Sequence, residues 1–163
     1  MTIFDAMPPL WASSPQSTAA RRSATAPQEP PYIEKSIEFR LGPEYTPVES
    51  MRRARGFVAM VLPALLDGRN DAGAVMEETL AVLAELVDIT ARHRASVDLG
   101  GRVSYDGEHV LITVGEMDQP LPHPEEEPGL YLVRRLADDI GQHRSDDGGY
   151  ETWASIPVRP TIQ

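Results

Sequence analysis

The chain has 163 residues, a length that suits one domain built around a single hydrophobic core. Its formal net charge of −10 would repel a phosphate backbone, which argues against a nucleic-acid-binding protein. The absence of cysteine excludes disulfides and thiolate metal sites. No run approaches the ~20 apolar residues of a membrane-spanning helix, and the N-terminus lacks the pattern of a secretory signal. We therefore expect a cytoplasmic protein that does not associate with membranes.

The first 32 residues are rich in Pro, Ala, Ser and Thr and show no apolar periodicity. Such a segment cannot bury enough surface to offset the entropy lost on ordering. The composition predicts a disordered tail over residues 1–32, followed by one folded domain over residues 33–159.

The folded part begins with a strand and a helix. Ser36–Leu41 alternates apolar and polar residues, which predicts a strand. Thr46, Pro47 and Glu49 match an N-cap, a first-turn proline and a capping box, so a helix should run from here to about Leu66. The residues at helical spacing along it are Val48, Met51, Arg55, Val58 and Leu62.

A second helix and a hairpin follow. Asp71–His93 carries an apolar stripe with a period of 3.6 residues, typical of an amphipathic helix. Ala95–Tyr105 and Glu108–Glu116 are predicted strands, and Asp106-Gly107 between them is a hairpin turn signal. The stripe of the helix comprises Val75, Met76, Leu80, Leu83, Ala84, Val87 and Ala91.

The last third of the chain is predicted as a loop, a helix and a second hairpin. Met117–Glu127 contains three prolines and several acidic side chains, which indicates a loop. Pro128–Ile140 is a short helix, and Gln142–Asp147 pairs with Tyr150–Val158 through Gly148-Gly149. This order predicts an α+β fold: a two-layer α/β sandwich whose mixed, mostly antiparallel sheet carries its helices on one face.

Four fragments, in this order, carry a resemblance that extends over Ser36–Val158. They are MRRARGFV at Met51–Val58, ELVDITARH at Glu85–His93, Val114–Glu116 with the proline-rich loop after it, and GLYLV in Pro128–Val133 together with Gly148-Gly149 and Trp153. They resemble the motifs of the GHKL superfamily of ATP-binding domains, which share the Bergerat-type ATP-binding fold. The branch they resemble most is that of the small actinobacterial relatives of anti-sigma-factor serine kinases.

The resemblance implies a nucleotide site, with Glu85 as the general base. Its metal ligand would stand one helical turn further on, where this chain has Ile89. A hydrocarbon cannot coordinate Mg²⁺, which takes oxygen ligands, so we expect no metal site. Asp88 is adjacent but lies about 100° around the helix and should face elsewhere. The positions that correspond to nucleotide contacts are Glu85, Ile89, Glu116, Pro128, Gly129 and Leu130.

Further departures fall at the adenine and phosphate positions. Glu116 replaces the adenine-binding aspartate, and its extra methylene should weaken base binding by about 1–3 kcal/mol. Glu125–Glu127 and Pro128 replace a glycine-rich phosphate loop; the carboxylates repel a triphosphate, and proline lacks an amide donor. One of these carboxylates is instead a candidate cap for the helix that follows. Tyr150 stands where the family has a lysine.

Alternative interpretations of these side chains remain open. Glu85 is either a catalytic base or a helix glutamate paired with Arg92 or another neighbour. His93 is interpreted as an exposed residue near a helix C-terminus, where positive charge is favoured. Glu125–Glu127 is either a solvated loop or a regulatory edge that docks a partner. The four histidines have no zinc-binding spacing.

Three hypotheses follow. The first is a regulatory protein that acts by stoichiometric protein binding, with ATP binding lost or weakened and no cofactor; the resemblance implies a sigma factor, an anti-sigma-factor antagonist or a second copy as partner. The second is an active ATP-dependent serine/threonine kinase with Glu85 as base and Mg²⁺ on Asp88 or another oxygen. The third is a sensor of a non-nucleotide small ligand, which the apolar Ile89 would suit.

Overall fold

The computed structural model describes residues 35–66 and 72–158, and all structural statements below concern these residues. The predicted tail, residues 1–32, and the predicted helix start at Asp71 lie outside them. The elements in chain order are β1 Lys35–Leu41, α1 Pro47–Leu65, α2 Ala72–Arg92, β2 Leu99–Tyr105, β3 His109–Met117, α3 Gly129–Leu136, β4 Asp139–Arg144 and β5 Tyr150–Pro157. None of these helices is long and apolar enough to cross a membrane.

The five strands form one open sheet in the order β1-β2-β3-β5-β4, and each neighbouring pair is antiparallel. The α+β, two-layer prediction is confirmed, but the described sheet contains no parallel pair. Both predicted turns are present, with Gly107 (φ 98°) and Gly148 (φ 93°) in the left-handed region that glycine adopts without strain. The Asp106 carboxylate accepts hydrogen bonds from the backbone N–H groups of Glu108 and His109, which fixes the first turn.

Helix α1 begins at the predicted capping box. Thr46 Oγ1 accepts from the Glu49 N–H at 3.1 Å, and Glu49 Oε1 accepts from the Thr46 N–H at 3.0 Å, so two amides at the helix start are paired. Of the residues at helical spacing, Val58 and Leu62 are buried, whereas Val48 is 51% exposed. The buried face of α1 comprises Ser50, Ala54, Val58, Leu62 and Leu65.

Helix α2 is the central helix, because it packs against α1, against α3 and against strands β3 and β5. Contacts on several sides explain why its buried surface is wider than the predicted stripe. Thr79, Val82, Leu86, Ile89 and Thr90 are buried in addition to most of the stripe. Met76 and Ala91 are partly buried and pack against the same core. The buried apolar residues of the central strands are Val103, Val110, Ile112, Val114, Ala154 and Ile156.

The largest differences from the predicted boundaries lie between α3 and β4 and at the start of β2. Helix α3 ends at Leu136 rather than Ile140, and β4 begins at Asp139. The reason is strand pairing: the Asp138 N–H donates to the Ser155 carbonyl on β5, so the chain has already joined the sheet.

At the other boundary, β2 begins at Leu99 instead of Ala95. The Ala95 N–H donates to the Glu116 carbonyl at 2.8 Å, and Ser96 Oγ donates to the Asp98 carbonyl at 2.6 Å. These contacts hold residues 95–98 in a bend before the strand.

Two adjacent glycines on β2 provide a test of the sheet packing. A Cβ on Gly101 would overlap the ring of its cross-strand partner Phe39, whereas a Cβ on Gly100 would have its nearest neighbour at 3.9 Å. We therefore expect Gly101→Ala to lower the free energy of unfolding by about 1–3 kcal/mol through overpacking. Gly100→Ala is the matched control and should change it by less than about 0.5 kcal/mol. Urea denaturation measures both, and equal effects would contradict the described register.

Candidate functional site

The predicted nucleotide site corresponds to a shallow depression between the C-terminal half of α2 and the start of α3. The open space there is about 150 Å³ including bulk solvent, and none of it is large enough to enclose a water molecule. The depression is therefore narrow where its side chains meet. The residues that line it are Glu85, Ile89, Arg92, Glu127, Gly129 and Leu130.

The centre of the depression is an ion pair between the last residue of α2 and the loop before α3. Arg92 Nη1 donates to Glu127 Oε2 at 2.8 Å, and Nη2 donates to Oε1 at 2.6 Å, a bidentate arrangement. Arg92 Nε also donates to Asp88 Oδ2 at 3.1 Å, one helical turn earlier. Hydrogen bonding to Arg92 lowers the pKa of Glu127, and hydrogen bonding to Glu127 raises the pKa of Arg92. Both groups are thus held in their charged forms.

The loop is also fixed at its beginning, on the opposite side. The Leu121 N–H donates to Gln142 Oε1 at 2.8 Å, and Gln142 Nε2 donates to Thr152 Oγ1 at 3.0 Å. Gln142 Nε2 lies 3.6 Å from Met117 Sδ, and Thr152 Oγ1 lies 3.5 Å from the same sulfur. A partly buried polar network therefore ties the loop to β4 and β5.

Glu85 lies at the edge of this ion-paired cluster. Its carboxylate lies against Gly129, where even a Cβ would overlap it. Burial raises the pKa of Glu85, and the negative charges of Asp88 and Glu127 add to this effect, while Arg92 opposes it. In the alternative interpretation, Glu85 pairs with Arg92 or another neighbour. Arg92 does act on Glu85 through its charge, but its guanidinium hydrogen-bonds to Asp88 and Glu127.

Ile89 forms part of the floor of the depression and is 2% exposed, as is Leu130. Asp88, the oxygen ligand that the kinase hypothesis invokes, is engaged by Arg92. Within residues 35–66 and 72–158, no group of three or more His, Asp or Glu side chains is arranged to hold a metal ion. Ile89 itself offers no oxygen atom to a hard cation.

The structure brings Glu85, Ile89, Gly129 and Leu130 together, but it places Glu116 elsewhere. The Glu116 carboxylate lies against Gly149 in the β4–β5 turn, where a Cβ on that glycine would overlap it. Glu116 is not among the residues that line the depression.

Two further predictions about the loop and its surroundings are wrong. Pro128 is the N-cap residue of α3 and no side chain caps this helix, so none of Glu125–Glu127 serves as its cap. Glu127 bonds to Arg92 instead. The His93 side chain is only 28% exposed, with Nε2 at 3.7 Å from Glu127 Oε2.

The residue pair at the centre of the site was missed by the sequence analysis. Asp88 and Arg92 have the i,i+4 spacing of a helical ion pair, which is a recognisable signal. Arg92 and Glu127, however, are separated by 35 residues, and nothing local indicates which of three consecutive glutamates turns towards α2. Gln142 and Thr152 carried no signal either, because isolated polar residues in strands are ordinary.

Comparison with models of known protein families finds no match to this chain, and comparison with curated proteins likewise finds none. The resemblance to GHKL ATP-binding domains therefore stays a prediction, and the site has to be interpreted from its own geometry.

The raised pKa of Glu85 generates a prediction about stability. A carboxyl whose pKa is higher in the folded state than in the unfolded chain lowers the stability of the protein at any pH at which it is ionised in the folded state. This cost disappears when the pH falls below the pKa of the unfolded chain, about 4.3, because the group is then protonated in both states. Glu85→Gln should therefore raise the melting temperature at pH 7, and the gain should vanish near pH 4. Glu77→Gln, on the exposed side of α2, is the control. A Glu85→Gln protein that is less stable than wild type at pH 7 would contradict the electrostatic account.

The apolar floor generates a second prediction. Ile89→Val removes one buried methylene and should cost about 0.5–1.5 kcal/mol. Ile89→Asp restores the type of oxygen ligand expected from the resemblance, but it buries an unpaired charge beside Glu85 and should cost about 3 kcal/mol or more. Chemical denaturation with and without Mg²⁺ measures both. An Asp variant as stable as the Val variant, or one that Mg²⁺ rescues, would show that the position is open to solvent and cations.

Proposed function

We propose that this protein is a non-catalytic regulatory protein that acts by stoichiometric binding to another protein and has lost Mg-ATP binding. The partners that the resemblance implies are a sigma factor, an anti-sigma-factor antagonist or a second copy of the chain. The observation that carries the loss of nucleotide binding is the bidentate Arg92–Glu127 pair across the place where the phosphates would lie.

The charges at this place support the proposal. Glu85, Asp88 and Glu127 surround a single guanidinium, which already hydrogen-bonds to two of these carboxylates. A triphosphate would have to displace Glu127 from Arg92 and then approach three carboxylates without a metal ion to neutralise it. Fold and function are separable, and an intact core with an altered site is the pattern expected of a binding protein on an enzyme-like scaffold.

The kinase hypothesis is the second candidate, and one observation favours it. A carboxylate with a raised pKa is a stronger base, and burial raises the pKa of Glu85. Against it, the Glu85 carboxylate is in close contact with Gly129, which limits the approach of a substrate hydroxyl from that side. Phosphate transfer to a purified anti-sigma-factor antagonist, abolished in Glu85→Ala, would establish the kinase in place of our proposal.

Calorimetric titration with Mg-ATP tests the proposal directly. We expect no saturable heat. This result corresponds to a dissociation constant above about 1 mM, that is, to a binding free energy weaker than about −4 kcal/mol. A micromolar constant would overturn the loss of nucleotide binding. Thermal-shift measurements extend the test, because a ligand that binds only the folded state raises the melting temperature. Stabilisation by a non-nucleotide metabolite, without stabilisation by ATP, would favour the small-ligand hypothesis.

Protein binding is tested by titrating purified candidate sigma factors and antagonists into the full chain. We expect a 1:1 complex with at least one of them, or a concentration-dependent dimer in sedimentation. Added Mg-ATP should leave the affinity unchanged within about twofold, since a ligand changes an equilibrium only through differential binding. A complex that forms only with Mg-ATP would contradict the proposal.

A further inference from the structure

Helix α3 has one buried face and one exposed face. Leu130 and Val133 are buried, and the helix packs against α2 and β4. Tyr131, by contrast, is 55% exposed, so a large aromatic ring is in contact with water. Pro128 and Arg135 are also exposed, and their spacing of three and four residues from Tyr131 places them on its side of the helix. We call this side the outer face of α3.

The charged side chains beside the outer face are divided between the two ends of the helix. Glu125 and Glu126 precede α3, Arg134 and Arg135 lie in its last turn, and all four are exposed. Within residues 35–66 and 72–158, none of these four side chains forms an ion pair or a hydrogen bond. The length of the helix, about 12 Å, separates the acidic pair from the basic pair. One copy of the chain therefore leaves both pairs without a partner on this face.

This distribution of charge is self-complementary about a twofold axis. Tyr131 lies close to the middle of the stretch between Glu126 and Arg135. When two copies of α3 lie antiparallel with the two Tyr131 rings at the axis, the acidic start of each helix lies beside the basic last turn of the other. In such a contact the same surface serves both copies, and every pairing occurs twice.

We propose that the outer face of α3 is the site at which a second copy of this chain binds, in an antiparallel contact between the two α3 helices. Tyr131 packs against the same residue of the second copy, and the two glutamates of each copy pair with the two arginines of the other. This inference rests on the part of the proposed function that names a second copy as a partner. It does not depend on the loss of nucleotide binding.

The mixed charge of this face favours a second copy over other partners. An acidic protein would be attracted to the arginines but repelled by the glutamates, and a basic protein would meet the reverse problem. A second copy presents both signs in the matching order. Two chains that each carry a formal charge of −10 repel at long range, and one eight-residue helix buries less surface than a standard interface. The dimer is therefore weak and depends on its charge pairs.

Sedimentation velocity over a concentration series tests this contact with charge reversals. We expect the wild type to form a weak, concentration-dependent dimer. Arg135→Glu sets like charges opposite each other twice in the dimer, so its dissociation constant should rise about tenfold, and Glu126→Arg should have the same effect. Arg52→Glu is the matched control, because it makes the same change of net charge on the exposed side of α1 and should leave the dimer unchanged.

A mixture of the two variants completes the test. In a dimer of one Arg135→Glu chain and one Glu126→Arg chain, opposite charges again face each other on both sides of the axis, so dimerisation should return to the wild-type level. Circular dichroism checks that each variant is folded.

The contact would be overturned by a wild type that stays monomeric at every concentration, by single variants that dimerise as the wild type does, or by a mixture of folded variants that stays monomeric. None of these results bears on the titrations with sigma factors, with antagonists or with Mg-ATP. Failure of the α3 contact is therefore distinguishable from failure of the proposed function.

Discussion

The bidentate contact between Arg92 and Glu127 is the constraint on which the geometry of the site depends. It joins the end of the central helix to a loop 35 residues further along the chain, and so it fixes where α3 begins. With Glu127 in place, Gly129 lies directly on the Glu85 carboxylate, and a residue with a side chain would not fit there. The ion pair and the close approach of Gly129 to Glu85 together make the depression narrow.

The electrostatics of the site divide its carboxylates into two kinds. Glu127 receives two hydrogen bonds from Arg92, and its pKa is lowered. Glu85 lines the same depression, and there burial and the neighbouring negative charges raise its pKa. A single guanidinium cannot neutralise all the carboxylates around it. Glu85 is the one whose ionised form is disfavoured. This arrangement stabilises the loop and keeps the Arg92 guanidinium bound to two carboxylates.

The polar network on the other side of the loop complements this ion pair. Gln142 bonds to the loop backbone and to Thr152, and both side chains contact the Met117 sulfur. Buried polar groups cost free energy unless they are hydrogen-bonded. The Leu121 N–H of the loop supplies a donor for Gln142 Oε1, and Gln142 in turn holds the loop in place. The attachment at the start of the loop consists of uncharged hydrogen bonds, whereas the attachment before α3 is an ion pair.

Local signals in the sequence determined most of the fold. The Thr46 capping box, the glycine turns and the 3.6-residue stripe of α2 act within a few residues of one another, so the chain itself encodes them. Tertiary structure decided the rest. The end of α3 depends on pairing with β5, and Glu127 was distinguished from its two glutamate neighbours only by the position of Arg92. A contact between distant segments has no local pattern, because it exists only after the elements that carry it have packed.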